Sequence, residues 1–476
     1  MNERSSVGEL AAILRGELSR YSPGEKLSSS RALVERHRVS PVTVARAIAQ
    51  LVAEGLVVSR PGAGVFRAEA APAGPAPVDT SWQEVALSAE AGLPPTRGAD
   101  ATGVLAALAL APAEVVDLNS GYLHPALQPE RALAAALARA GRRPGAWGRP
   151  PIEGLPELRS WFARDVGGPL TASEVLVTAG GQSALTTALR SLVAPGAPVL
   201  VESPTYPGML AVARAAGLRP VPVPVDADGV RPDLLADAFA ASGARAFVCQ
   251  PLFQNPTGAV LSAARRPEVL RIARAAGAFV VEDDFARRLV HSDAPALPAP
   301  LAAEDPDGVV VHIRSLTKPS SPSLRVGAIT ARGPAFERLR AVQAVDSFFV
   351  PRPLQETTLE LVGSPAWSHH LRTLSGALHD RRRALAGELR RLLPALLPER
   401  LPYGGYHLWL RLPDGRDETA LTAAALRAGV AVTPGRAYFT AESPAPHLRL
   451  SYACADGPER LVEGVRRLHR AYGPLG

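Results

Sequence analysis

The residue best suited to covalent chemistry in this chain is Lys318. Of 52 basic residues only Lys26 and Lys318 are lysine, and the remaining 50 are arginine. Arginine stays protonated in proteins, whereas a buried lysine can lose its proton and attack a carbonyl. A chain biased this strongly toward arginine is expected to keep lysine chiefly where a primary amine is needed. Lys318 closes the segment Ser315-Leu316-Thr317-Lys318, directly after the apolar run from Val309 to Ile313, and Arg325 follows seven residues on. The commonest task of such an amine is an imine with an aldehyde, and the surrounding sequence points to pyridoxal phosphate (PLP). Taken alone, a surface lysine that drifted in explains the residue equally well.

Further polar motifs precede it in a fixed order. Ala179-Gly180-Gly181-Gln182-Ser183 opens a helical pattern, and glycines at a helix N-terminus let bare N–H groups and the helix dipole face a phosphate. Glu202-Ser203-Pro204-Thr205-Tyr206-Pro207 can place Tyr206 as a flat lid on an aromatic ring, although a lone tyrosine is more often core than a cofactor platform. Gln254-Asn255-Pro256-Thr257-Gly258 holds an asparagine amide in a proline-containing turn. Glu282-Asp283-Asp284 offers a carboxylate that could keep a pyridine nitrogen protonated, so that the ring acts as an electron sink. Each motif is weak by itself, and their order is what carries information.

The elements that must position them are short apolar runs. Val175-Leu176-Val177, Val199-Leu200-Val201, Ala246-Phe247-Val248, Phe279-Val280-Val281 and Val309-Val310-Val311 are rich in β-branched residues and alternate with helical patterns. That is the signature of a mostly parallel buried sheet in an α/β domain, which binds ligands beyond the carboxyl ends of its strands. The polar motifs sit at those ends.

The first part of the chain reads differently. Val7, Leu10, Leu14 and Leu18 predict a helix over residues 5–21. Ser28-Ser29-Ser30 caps a second helix carrying Leu33 and Val34. Ser40-Pro41 starts a third, which runs through Ile48, Leu51 and Val52 to Gly55. Leu56-Val57-Val58 and Val65-Phe66-Arg67 then predict two strands around Arg60-Pro61-Gly62-Ala63-Gly64. Three helices and a ribbon make a winged helix-turn-helix, whose third helix enters the major groove of DNA. Glu69 to Val78 is rich in Ala, Pro and Gly and reads as a linker.

Composition sets the outer bounds. With 476 residues, 47% hydrophobic and 20% charged, the chain suffices for two or three domains. A pI near 9.8 and a net charge of +7 permit a polyanionic partner without requiring one. Cys249 and Cys454 form neither a disulfide framework nor a metal spacing, which predicts a reducing, cytoplasmic setting and no metal site. No apolar stretch is long enough to span a bilayer, so no membrane partner is expected. His369-His370 and Arg381-Arg382-Arg383 read as solvated helix faces.

Pro23-Gly24-Glu25-Lys26-Leu27-Ser28-Ser29-Ser30-Arg31, Val39-Ser40-Pro41-Val42-Thr43-Val44-Ala45-Arg46 and Glu54-Gly55-Leu56-Val57 resemble the motifs of GntR-type regulators. The resemblance implies that Arg31, Ser40, Thr43 and Arg46 face DNA, with Thr43 and Arg46 placed to touch base edges. Gly62 and Gly64 would let the wing approach phosphates. Many relatives carry arginine where this chain has Pro41, which puts the operator sequence in doubt.

The order of motifs in the larger part resembles the fold-type I aminotransferases, in the branch that includes aminoadipate-type transaminases. Together with the winged helix the chain is similar to the MocR-type subfamily of GntR regulators. The resemblance implies that Lys318 forms the internal aldimine with PLP and that Asp283 pairs with the pyridinium nitrogen. It further implies that Asn255 binds the ring hydroxyl, that Tyr206 stacks on the ring, and that Gly181, Gln182, Ser315 and Arg325 hold the phosphate. Arg449, in Leu448-Arg449-Leu450-Ser451, matches the arginine that takes a substrate carboxylate bidentately. Gly404-Gly405-Tyr406-His407 matches the start of a small-domain strand.

Two positions depart from the family pattern. Phe285 stands where a tyrosine hydroxyl usually reaches the ring oxygen. Arg149 stands where a tyrosine usually reaches a neighbouring subunit's phosphate.

The expected architecture is therefore multidomain. Residues 1–68 form a winged helix-turn-helix and 69–100 a linker. Residues 101–476 form an α/β aminotransferase-like domain with a mostly parallel sheet, its large part over about 101–344 and its smaller C-terminal α/β part over about 345–476. The expected protein is a homodimeric transcriptional regulator that binds a double-stranded DNA operator. Its aminotransferase-like domain would sense an effector, either PLP itself or an amino compound, with weak or no turnover. The alternatives are a working aminotransferase with a fused DNA-binding domain, and a regulator whose pocket is empty.

Overall fold

Leu10, Leu14 and Leu18 are all buried, so the first helix, Glu3–Glu17, presents one apolar stripe to the helix Pro41–Ala53. The helical periodicity continues to residue 20, but the last turn, Leu18–Arg20, tightens to a 3₁₀ helix. Ser29 caps the second helix, Ser30–His37, by accepting from the N–H of Ala32. Ser40 caps the third by accepting from the N–H of Thr43, with Pro41 in its first turn. Gly55, at φ +70, closes that helix. The antiparallel strands Val57–Arg60 and Gly64–Arg67 form the wing. Lys26 pairs with Phe66 and adds one rung that the sequence pattern did not suggest.

The computed structural model describes residues 3–69, 79–83, 101–109 and 111–473, and the chain divides into two units, Met1–Leu93 and Pro94–Gly476. The expected linker, 69–100, lies outside the described residues apart from Glu69 and residues 79–83. Among the described residues no helix is long and apolar enough to cross a membrane.

The larger unit is built on an eight-stranded sheet. In spatial order its strands are Val175–Thr178, Gly327–Thr330, Val310–Ser315, Phe279–Asp284, Ala246–Cys249, Pro198–Ser203, Arg219–Asp226 and Gly229–Val230. All five apolar runs singled out in the sequence lie in this sheet. The strands from 310–315 across to 219–226 pair in parallel, and those from 310–315 to 198–203 are largely buried, which is why they read as continuous runs and not as alternation. Gly327–Thr330 runs antiparallel to both of its neighbours. Gly327 therefore sits level with Thr178 and Ser315, and Arg325 is delivered to the carboxyl ends of the parallel strands.

A second core surrounds the three-stranded sheet of His407–Arg411, His447–Ser451 and Thr433–Pro434. The helices Pro365–Leu392 and Pro458–Tyr472 pack with it. Val116 and Leu118, near the start of this unit, lie in the same core, because Val116–Asp117 pairs in parallel with Val430–Ala431.

Arg381 and Arg382 were expected on a solvated face, yet both are buried. Arg381 donates to the main-chain oxygens of Ala455 and Asp456, and Arg382 to Pro402 O and the carboxylate of Asp293. An arginine run on a helix hides such roles because guanidinium groups satisfy distant carbonyls as readily as they meet water.

Candidate functional site: the strand-end pocket and the winged helix

Lys318 follows the strand Val310–Ser315, and its Nζ donates to Gly121 O at 2.8 Å. The amine lies over the ring of Tyr122 at 4.1 Å from its centroid. Burial pulls its ammonium down to about 8, with Tyr122 opposing and Arg449 adding to the fall. A sizeable neutral fraction near physiological pH is what a carbonyl-attacking lysine needs.

Asp283 points into the same cavity from the neighbouring strand. Burial raises its carboxyl to about 6, while a hydrogen bond from Gln250 Nε2 at 2.7 Å opposes the rise. Asn255 is buried beside it, after the strand Ala246–Cys249, and its Oδ1 has no hydrogen-bond partner. Tyr206 caps the helix Pro207–Ala215 and donates to Gln182 Oε1 at 3.3 Å. A Cβ on Gly208 would fall 2.3 Å from the Tyr206 ring, so glycine there leaves the ring its place.

The phosphate-sized end of the cavity is a glycine turn. Gly180 takes φ +83 and caps the helix Gly181–Leu192, and a Cβ on it would meet Arg325 at 3.1 Å and Thr317 Oγ1 at 3.2 Å. Ser315 lies against Gly181. Arg325 itself sits at φ +49 and donates to Ala179 O at 2.8 Å. A helix N-terminus, two hydroxyls and a guanidinium thus converge on one spot. All eight residues expected to hold the cofactor line this cavity: Gly181, Gln182, Tyr206, Asn255, Asp283, Ser315, Lys318 and Arg325.

An adjoining cleft of about 370 Å³ shares Gln182, Tyr206, Asn255, Lys318 and Arg325 and adds Arg449. Arg449 is buried, its Nε has no hydrogen-bond partner, and its guanidinium lies near the rings of Tyr406 and Tyr438. One Nη donates to Asn119 O at 3.1 Å. The Asn119 side chain in turn donates to Ala106 O at 3.0 Å, in the short helix Thr102–Leu108 whose Gly103, Val104 and Leu108 form another wall of the cleft.

These residues fit PLP. Asn255 Oδ1, Thr317 Oγ1 and Arg449 Nε are buried without partners, which is costly unless a ligand supplies them. The chemistry also matches, with an amine for the aldehyde, a carboxylate for the ring nitrogen and an anion cradle for the phosphate.

Tyr122, Gly121, Tyr406, Tyr438 and Thr317 complete the site, and none of them was assigned a role from the sequence. Tyr406 lies in the segment Gly404-Gly405-Tyr406-His407, which marks only the start of a strand, and Tyr122 comes from far along the chain. Phe285 lines the cavity and meets Tyr406 edge-on at 6.3 Å. It brings no hydroxyl. Phe285→Tyr is expected to shift the visible titration of the PLP-loaded protein to lower pH by roughly one unit, equal to about 1.4 kcal/mol. The sign follows because a phenol donor stabilises an anionic ring oxygen. Absorbance followed against pH checks it, and an unchanged midpoint would discard the role given to Phe285. Arg149 is exposed in the loop after the helix Glu130–Gly141 and does not line its own chain's cavity.

In the N-terminal unit Arg31, Ser40, Arg46, Gly62 and Gly64 are all exposed. Thr43 is a correction. It is 8% exposed and its hydroxyl pairs with Ser40 Oγ at 2.8 Å. Its place three residues after the cap turns it inward, so it locks the start of the helix and presents nothing to a base edge. Gly64 also has a local reason to be glycine: at φ +117, a Cβ there would lie 2.7 Å from Lys26 Cε.

Comparison with known proteins follows this geometry. Residues 113–468 match the family model "Aminotransferase class I and II", and residues 8–66 match "Bacterial regulatory proteins, gntR family". The chain is 33% identical over 361 residues to the 2-aminoadipate transaminase of Thermus thermophilus, covering 75% of this chain and 90% of that one. It is 30% identical to the HTH-type transcriptional regulator TauR of Rhodobacter capsulatus over 96% of this chain and 94% of that one. Among solved structures it resembles LysN, the alpha-aminoadipate aminotransferase of Thermus thermophilus complexed with N-(5'-phosphopyridoxyl)-L-leucine. The TM-score is 0.75 at 30% identity, over 83% of this chain and 99% of that chain. The chain therefore belongs to the aminotransferase class I and II family, and with its gntR-family N-terminal unit it has the MocR-type architecture of transcriptional regulators.

Proposed function

We propose that the protein is a DNA-binding transcriptional regulator that holds PLP at Lys318 and reads an amino compound, or PLP itself, through its aminotransferase-like unit. The observation that carries this reading is the similarity to a transcriptional regulator along nearly the whole chain, winged helix and pocket together. PLP, when bound, supplies an aldehyde to an amine and a ring that accepts electron density. The chain's own residues do the rest. Lys318 provides a partly neutral amine, Asp283 a counter-charge for the ring nitrogen, and Gly181, Gln182, Ser315 and Arg325 a seat for the phosphate. Arg449 takes the carboxylate of an amino-acid effector.

DNA contact falls to Arg31, Ser40 and Arg46, with Gly62 and Gly64 at the wing. Two copies of the chain present two such units to paired half-sites. For the ligand to act, it must favour one of two arrangements of those units over the other.

Footprinting upstream of the protein's own gene tests the proposal, with apoprotein and with PLP added. Protection of paired sites that changes with PLP is expected. Arg46→Ala should weaken that protection by about 1–3 kcal/mol, roughly fivefold to 150-fold. Protection indifferent to PLP would remove the sensor role. The set of Lys318, Asp283, Asn255 and Arg449 favours a second reading, an active aminotransferase. Rapid conversion of an amino acid and a keto acid, with no protected DNA, would select it.

A further inference from the structure

Gln250 stands at the carboxyl end of the strand Ala246–Cys249, buried, with its side chain in the cavity wall. Its amide is used at both ends. Nε2 donates to Asp283 Oδ2 at 2.7 Å, and Oε1 accepts from the main-chain N–H of Asn255 at 2.9 Å. Those are the residues assigned to the ring nitrogen and the ring hydroxyl. The Gln250 main-chain N–H is itself held by Glu202 Oε2 at 3.0 Å, from the next strand. We propose that Gln250 is a positioning residue for the cofactor ring, a single side chain that sets both residues the ring must meet; the inference rests on PLP being held at Lys318.

The donor end has an electrostatic consequence. Asp283 faces Cys249 from one neighbouring strand, Lys318 just past the end of the other, Glu202 from the strand beyond that of Cys249, and Tyr206 and Tyr406 across the cavity, with Glu282 and Asp284 on its own strand. Burial and the nearby carboxylates favour its neutral form, whereas Lys318 and the Gln250 amide favour the ionised one. A protonated ring nitrogen pairs with the carboxylate and not with the acid. PLP affinity should therefore fall as pH drops through the Asp283 midpoint, which stands at about 6 in the free protein. Without the Gln250 donor that midpoint moves up, so the loss begins at higher pH.

The test titrates the full-length apoprotein with PLP between pH 5.5 and 8.5, following visible absorbance, for wild type, Gln250→Leu and Gln250→Glu. Taking the ratio of variant to wild-type affinity at each pH cancels the titrations of PLP and Lys318. Gln250→Leu is expected to bind about fivefold more weakly than wild type at pH 6, about eightfold at pH 5.5 and nearly equally at pH 8.5, for a midpoint raised by about one unit. Gln250→Glu keeps an acceptor for Asn255 and the shape of the side chain, but sets a second carboxylate against Asp283. Its midpoint should rise at least as far, which separates charge from misfolding. A ratio that is constant with pH in both variants, or no change in either, overturns the role of Gln250. A wild-type protein that binds no PLP overturns the cofactor reading, and this inference with it.

Discussion

Lys318→Ala is expected to abolish the visible absorbance that PLP gains on covalent attachment, and with it any PLP-dependent change in the DNA footprint. The footprint itself should survive, because the winged-helix unit has its own core of Leu10, Leu14, Leu33, Val44, Ile48 and Leu51. Fold stability should change little or rise, since the substitution deletes a strongly desolvated amine that donates to the main-chain oxygen of Gly121. PLP would still reach the glycine turn, Ser315 and Arg325 through its phosphate, so weak, dialysable binding is the expected residue. A retained absorbance band after dialysis would mean that another amine carries the cofactor. Lys26 is the chain's remaining lysine, and it lies in the N-terminal unit.

The largest effect on stability is expected at Arg314. It is among the largest fully buried side chains, and it stands on the face of its strand opposite to Ile313 and Ser315. It pairs with Asp284 at 3.2 Å and Asp165 at 3.4 Å. Asp284 also takes Arg287 at 2.6 Å and His312 at 3.3 Å, and Asp165 pairs with Arg288. Arg314→Met fills the volume but leaves the two carboxylates short of positive charge. Removing one partner of a buried pair costs roughly 3–5 kcal/mol. The lower end applies here because Asp284 and Asp165 each keep another partner.

The pH dependence has a definite sign. In the wild type Arg314, His312 and Arg287 overcome burial and hold the Asp284 carboxyl below its ordinary value of 3.8. That stabilisation is present above the unfolded value and is lost as pH falls through the folded one. In Arg314→Met the folded value rises, so the deficit should be largest at pH 7–8 and shrink toward pH 4–5. Urea unfolding of both proteins at the two ends of that range measures it. An equal deficit at both would rule out charge as its origin.

The extent to which the site was legible follows from how its residues are carried. Lys318, Asp283, Asn255, Tyr206 and Gly181 each lie within a few residues of a strand end, so a local motif and an apolar run sufficed to find them. Arg325 was legible for the same reason, although the antiparallel strand that delivers it was not. Gln250, Tyr122 and Gly121 were missed because no local pattern marks them. Gln250 reads as an ordinary polar residue after a strand, and Tyr122 meets Lys318 only through the pairing of Val116–Asp117 with the C-terminal core. Thr43 and Arg382 were misread for a related reason. Both are polar residues on helices, and helical position alone does not say whether a hydroxyl caps its own turn or a guanidinium reaches inward to a carbonyl.

The short helix Thr102–Leu108 sets a length as well as a wall. Its seven residues span about 10 Å when helical and up to about 24 Å when drawn out. The chain runs from it directly back through residues 69–100 to the winged helix. Val104 and Leu108 of this helix line the cleft, and Ala106 O is tied through Asn119 to Arg449, so the helix and the cleft share one set of contacts. Unwinding those seven residues would therefore remove one wall of the cleft and the Asn119 contact in the same event.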